Sequence, residues 1–167
     1  MENIGTNLYH NEIPIDYNED LSGIDNEQIA DTIARVMSGY HLVYKHRFYV
    51  WNGLVWEKRN LPYYLSSYIY FFIYPRYQLI MKEQQAIPKR AIRKIDDICC
   101  PTFRKNIASL ISKHPLLQFN GQWNANKNLI VYPDGLWDMV AGAYIVNSKD
   151  YYINKIVREE PEKPNID

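Results

Sequence analysis

Two short turns, far apart in the chain, constrain its fold more than any other feature. The first lies in Tyr49-Val50-Trp51-Asn52-Gly53-Leu54-Val55-Trp56, the second in Leu129-Ile130-Val131-Tyr132-Pro133-Asp134-Gly135-Leu136-Trp137-Asp138. Each sets an Asn-Gly or Asp-Gly pair between β-branched, aromatic and aliphatic runs. Such a pair supplies the two positive φ angles that a tight two-residue hairpin needs. The pairs therefore predict two antiparallel hairpins, and what lies between them reads as helical.

The periodicity fills in the rest. Asp25 with Gln28 resembles a capping box and opens a helix to Ser38, with Ile29, Ile33, Val36 and Met37 on its inner face and Gly39 as its stop. His41–Tyr44, Phe48–Trp51 and Leu54–Glu57 read as a meander of three short strands, with Trp51 and Trp56 near opposite ends of the last two. Residues 60–74 predict an aromatic helix with Tyr64, Leu65, Tyr68, Phe71 and Phe72 on one broad face. Pro75 stops that helix or starts another, reaching Ala86. A short basic helix follows between Ile87 and Cys100, then one from Pro101 to His114. Leu129–Tyr132, Leu136–Met139 and Ala143–Val146 predict the second β unit, with a turn at Gly142. The fold class is α+β, two small antiparallel hairpin or meander units flanking a helical middle. Residues 1–24 read as an acidic flexible arm, 25–157 as a single domain and 158–167 as a linker-like C-terminus.

Charge is uneven although the net value is zero. Residues 1–31 hold eight of the 19 acids and no Lys or Arg, which leaves about +8 on the remainder. An acidic arm on a basic body suits an anionic partner, and it is equally the pattern of a solvated tail on a scattered basic surface. Lys82, Lys89, Arg90, Arg93, Lys94, Arg104, Lys105 and Lys113 cluster in the middle third against Glu83, Asp96 and Asp97. Of these, Lys89, Arg90, Arg93, Lys94, Arg104 and Lys105 are the candidate phosphate contacts. The chain's 15 Tyr and four Trp would supply exposed rings for stacking on single-stranded bases. An AT-rich coding sequence would enrich Tyr on its own.

Catalytic patterns are missing. There is no GxxxxGK[ST] loop and no GxGxxG. His10, His41, His46 and His114 lack metal spacing with acids or cysteines. Asp96 and Asp97 are adjacent on a helix and point apart. Cys99 and Cys100 are neighbours, and a vicinal disulfide is strained, so reduced thiols are expected. No signal peptide is expected, and Leu61–Met81 is broken by Pro62, Ser66, Ser67, Pro75 and Arg76, which fits buried helices better than a membrane span. Neither catalytic residues, nor metal ligands, nor a cofactor are assigned.

The turns also carry a resemblance. Tyr49, Trp51, Asn52, Gly53 and Trp56 match a Tyr-x-Trp-(Asp/Asn)-Gly-x-x-Trp turn. Leu129, Ile130, Asp134, Gly135, Asp138, Met139 and Gly142 match a second element, and Asp150, Tyr152, Ile153 and Lys155 a third. In that order and spacing the chain resembles the accessory domain that precedes the superfamily-3 helicase core in phage, plasmid and large-DNA-virus primase–helicases. Asp134 stands where Asn is usual and Asn154 where Thr is common. The motif residues Trp51, Asn52, Gly53, Trp56, Asp134, Gly135 and Asp138 serve turns and packing. No helicase core follows, so the expectation is a fragment cut at the domain boundary or a short relative without its motor.

The resemblance implies a non-catalytic module of a viral or mobile-element replication helicase–primase, set as a collar beside the helicase ring. It implies contact with DNA, single-stranded or forked, or with the motor and other replication proteins, in the cytoplasm of a bacterial host or at a viral replication site. The alternative is a stand-alone adaptor or inhibitor acting on a helicase, a loader or a host factor through the acidic arm and exposed aromatics.

Overall fold

The computed structural model of the protein describes residues 9–158. Its chain runs as a helix, a three-stranded meander, a helical middle and a second three-stranded meander, an α+β fold with helices between the sheets. Helix α1 spans Asn26–Met37, with the Asp25 carboxylate accepting from Gln28 N at 2.8 Å. Its inner residues Ile29, Ile33 and Met37 are fully buried, each isoleucine contributing about 1.5–3 kcal/mol of burial. Gly39, at φ +90°, turns the chain out of the helix.

Strands β1 (His41–Tyr44), β2 (Arg47–Trp51) and β3 (Trp56–Arg59) form the first antiparallel sheet. Alternation along them makes this sheet a wall between two apolar clusters. Val43, Phe48 and Val50 face the helices, while Leu42, Tyr49 and Trp51 face an aromatic cluster with Trp56, Phe119, Trp123 and Tyr152. The third strand starts two residues later than expected. Trp51 and Trp56 pair directly instead of standing at opposite ends, their rings 5.8 Å apart. Leu54 and Val55 belong to the turn.

Pro75 does not stop the helical course of the chain but lies in the first turn of a further α-helix, the second of the two expectations. Helix α2 (Leu61–Tyr68) passes through a π-helical turn, Ile69–Ile73, into α3 (Tyr74–Glu83) without a break. A proline removes one N–H and crowds the carbonyl four residues back, here that of Phe71, and the wider turn relieves this. It also rotates the apolar face: Tyr64, Leu65 and Tyr68 are buried, whereas Phe71 is 46% exposed. Helices α4 (Lys89–Asp96) and α5 (Pro101–Ser112) complete the layer, with Ile95, Phe103, Ile107 and Ile111 in the same core.

The second sheet pairs β4 (Leu129–Tyr132), β5 (Gly135–Asp138) and β6 (Ala143–Ile145) in order. Tyr132 pairs with Gly135, so Pro133 and Asp134 are the central residues of its turn, not Asp134 and Gly135. Proline fixes φ near −65°, which excludes the doubly positive turn.

Residues 9–24 have neither helix nor strand, as expected, but they do not stand off the body. Arg76 donates to the carbonyls of Ile13 and Pro14 at 2.7 and 2.9 Å, and the Gln84 amide donates to those of Tyr17 and Glu19. Leu21 and Ile24 lie in the main core, so the packed unit begins well before residue 25. Residues 1–8 of the arm and 159–167 of the linker lie outside the described residues.

Candidate nucleic-acid interface

The first turn fastens the two β units together through Val55 and Trp56, whereas Asp134 and Asp138 bond within the second unit. Asn52 Oδ1 accepts from Leu54 N at 2.9 Å and Val55 N at 2.8 Å, holding a four-residue loop. Gly53 sits at φ +93°, and a β-carbon there would meet Tyr9 Oη at 2.7 Å. The loop delivers Val55 into a small core with Val131, Leu136 and Ile153 of the other unit. Trp56 Nε1 donates to the Lys149 carbonyl at 2.8 Å, Trp56 N donates to that of Ile153, and the indole stacks on Tyr152. Asp138 Oδ1 accepts from Val140 N and Ala141 N, which shapes the β5–β6 turn around Gly142. Asp134 accepts from Tyr144 Oη at 3.3 Å.

The six candidate phosphate contacts divide. On α4, Arg90, Arg93 and Lys94 recur on one helical face and line a groove of about 350 Å³ with Ile24, Asp25 and Asp97. Arg90 and Arg93 are exposed, and among the described residues neither forms an ion pair. Lys94 is half-buried, donates to the Asn26 side chain and rests over the Phe103 ring, so its charge is partly committed. Lys89 is exposed on the same helix without lining the groove. Arg104 is half-buried on α5, and Lys105 is exposed there; neither lines the α4 groove.

His41 serves the fold. His41 is fully buried, with Nδ1 3.0 Å from the Met37 carbonyl and Nε2 2.7 Å from Tyr64 Oη. A carbonyl only accepts, so Nδ1 carries the proton and Nε2 accepts from Tyr64. Burial pulls its pKa down to about 4. Cys99 and Cys100 are free and exposed, and partial burial pushes the Cys99 thiol up. Among the described residues no three His, Cys, Asp or Glu side chains converge as a metal site, and no helix is long and apolar enough to cross a membrane.

A second basic surface escaped the sequence reading. His46, Arg47, Lys58 and Arg59 share one groove. They belong to two short runs, Lys45-His46-Arg47 and Lys58-Arg59, that only the β2–β3 pairing brings together. The four Trp residues supply little exposed ring: Trp51 and Trp56 are buried, and Trp123 and Trp137 are half-buried. Exposed aromatics include instead Tyr63, Tyr70 and Phe71 on the α2–α3 helix, Tyr144 on β6, and Tyr9, Tyr17 and Tyr151 outside the helices and strands named. No protein-family model and no curated protein matches the chain.

Proposed function

We propose that this protein is a non-catalytic accessory module of a viral or mobile-element replication helicase–primase, and that it contacts DNA through α4. The observation that carries this reading is the convergence of Arg90, Arg93 and Lys94 on one open groove. Arginine presents a planar fork of donors that matches phosphate oxygens, and two such forks on adjacent turns suit a polyanionic backbone. Asp25 and Asp97 lie at the same groove and hold its charge to a modest excess, which suits non-specific contact of moderate strength. The module works in the cytoplasm, in a bacterial host or at a viral replication site.

Alanine at Arg90, Arg93, Lys94 and Lys105 together lowers affinity for a single-stranded or forked oligonucleotide at least tenfold. Fluorescence anisotropy reads this directly, and unchanged affinity would sink the DNA contact.

A protein-contact reading, in which the module docks on its motor or acts as a stand-alone adaptor on a helicase, loader or host factor, is favoured by one separate observation. Met139 and Val140 lie side by side at the β5–β6 turn of the second sheet, 56 and 77% exposed. Exposed apolar side chains grouped this way favour a protein partner. Met139→Asp with Val140→Asp then abolishes co-purification with the motor subunit and leaves DNA affinity unchanged.

A further inference from the structure

A groove of about 410 Å³ opens where the β1–β2 turn, the end of β3 and the start of α2 meet. Its rim is basic. Arg47 begins β2, Lys58 and Arg59 end β3, and His46 lies in the turn before them. Antiparallel pairing assembles these residues, with Tyr49 opposite Lys58 and Phe48 opposite Arg59.

The charges of Arg47 and Lys58 are uncommitted, whereas Arg59 also rests over the Tyr64 ring. No carboxylate from the described residues lines the groove, and none of them forms an ion pair with Arg47 or Lys58. Arg59 meets Glu57 at 3.4 Å in an exposed contact, a kind that contributes little in water. The α4 groove, by contrast, holds Asp25 and Asp97 among its cations. Asn60 adds a donor: its Oδ1 caps Tyr63 N at 3.0 Å, and its Nδ2 has no partner among the described residues.

The turn bearing this rim is built against backbone preference. Lys45 and His46 take φ of +47° and +65°, where a two-residue hairpin favours Asn-Gly. Both residues are exposed.

We propose that this groove binds the phosphate groups of a nucleotide or of a nucleic-acid strand. Two guanidinium forks and an ammonium spread over 410 Å³ match an anion with several charged oxygens rather than a lone carboxylate. The assignment stands apart from the α4 reading. In the full chain, Arg47→Glu with Lys58→Glu is compared with the α4 alanine variant, using pyrophosphate, ATP and a dT oligonucleotide as probes by calorimetry and anisotropy. Arg47→Gln with Lys58→Gln serves as a milder pair should charge reversal disturb folding, which circular dichroism monitors.

A tenfold or greater loss confined to the groove variants supports the proposal. Loss for the oligonucleotide marks a strand as the source, and loss for ATP and pyrophosphate alone marks a free phosphate ligand. Groove loss with the α4 variant unaffected would remove the α4 reading and keep this one. Binding that drops only in the α4 variant, or a wild-type chain that binds none of the three probes, overturns it.

Discussion

At the residue scale the most constrained side chain is His41, held between the Met37 carbonyl and the Tyr64 hydroxyl. Among the described residues Tyr64 alone offers a hydroxyl to that ring; Tyr68, packed edge-on against the same imidazole, has a buried hydroxyl with no partner among the described residues. Tyr64→Phe should therefore cost about 1–3 kcal/mol, because it strands a buried acceptor. Tyr68→Phe should leave stability equal or higher, and urea titration separates the two. The imidazole pKa falls from an ordinary 6.5 to about 4 on folding, with burial as the main cause and nearby His10 adding to it. The unfolded chain thus binds a proton below pH 6.5 that the folded one refuses down to about 4. Stability from this group is complete above 6.5, falls between those values as pH drops, and the loss levels off below, reaching roughly 3 kcal/mol. Ring nitrogen NMR should find His41 neutral and protonated on Nδ1 at pH 6; an imidazolium there would contradict the assignment. The role of His41 is not legible in the sequence, because its hydrogen-bond partner lies 23 positions away on a helix that the local pattern could not dock.

At the element scale, signals confined to a few residues were readable and register was not. Asp25 capping α1, Gly39 ending it, Pro101 opening α5 and the apolar spacing of both helices depend on neighbours within a turn or two. The first hairpin failed that test. Its loop runs from Asn52 to Val55 because Val55 is drawn into the core of the other sheet, a pull invisible in the flanking pattern. Gly53 and Gly142 are both left-handed, yet only Gly53 faces an atom close enough to clash. Gly53→Ala should cost more than Gly142→Ala, the latter about 1 kcal/mol for backbone strain alone. Thermal melts that rank them the other way would refute the packing of Tyr9 on this turn. The candidate interface was half legible. The α4 cations stand together in sequence, whereas those at the β2–β3 edge are joined only by strand pairing.

At the scale of the whole molecule, the first sheet separates a helical core from an aromatic one, and Trp56 links it to the segment 149–153 that follows the second sheet. Its truncation, Trp56→Ala, should cost about 3–5 kcal/mol and expose Ile153 and Tyr152, which it contacts. Residues 9–24 of the acidic arm belong to this architecture. Deleting residues 1–24 removes Leu21 and Ile24 from the core and should cost at least about 3 kcal/mol; a deletion that leaves the denaturation midpoint unchanged would refute that packing. The basic surfaces lie on opposite chemical terms, one tempered by Asp25 and Asp97 and one free of lining acids. The most direct test of DNA contact through α4 is the salt dependence of oligonucleotide binding. For the chain with alanine at Arg90, Arg93, Lys94 and Lys105, the slope of log K against log salt should be shallower than wild type by about two to three. Identical slopes would mean that these residues release no counterions and that α4 does not meet the phosphate backbone.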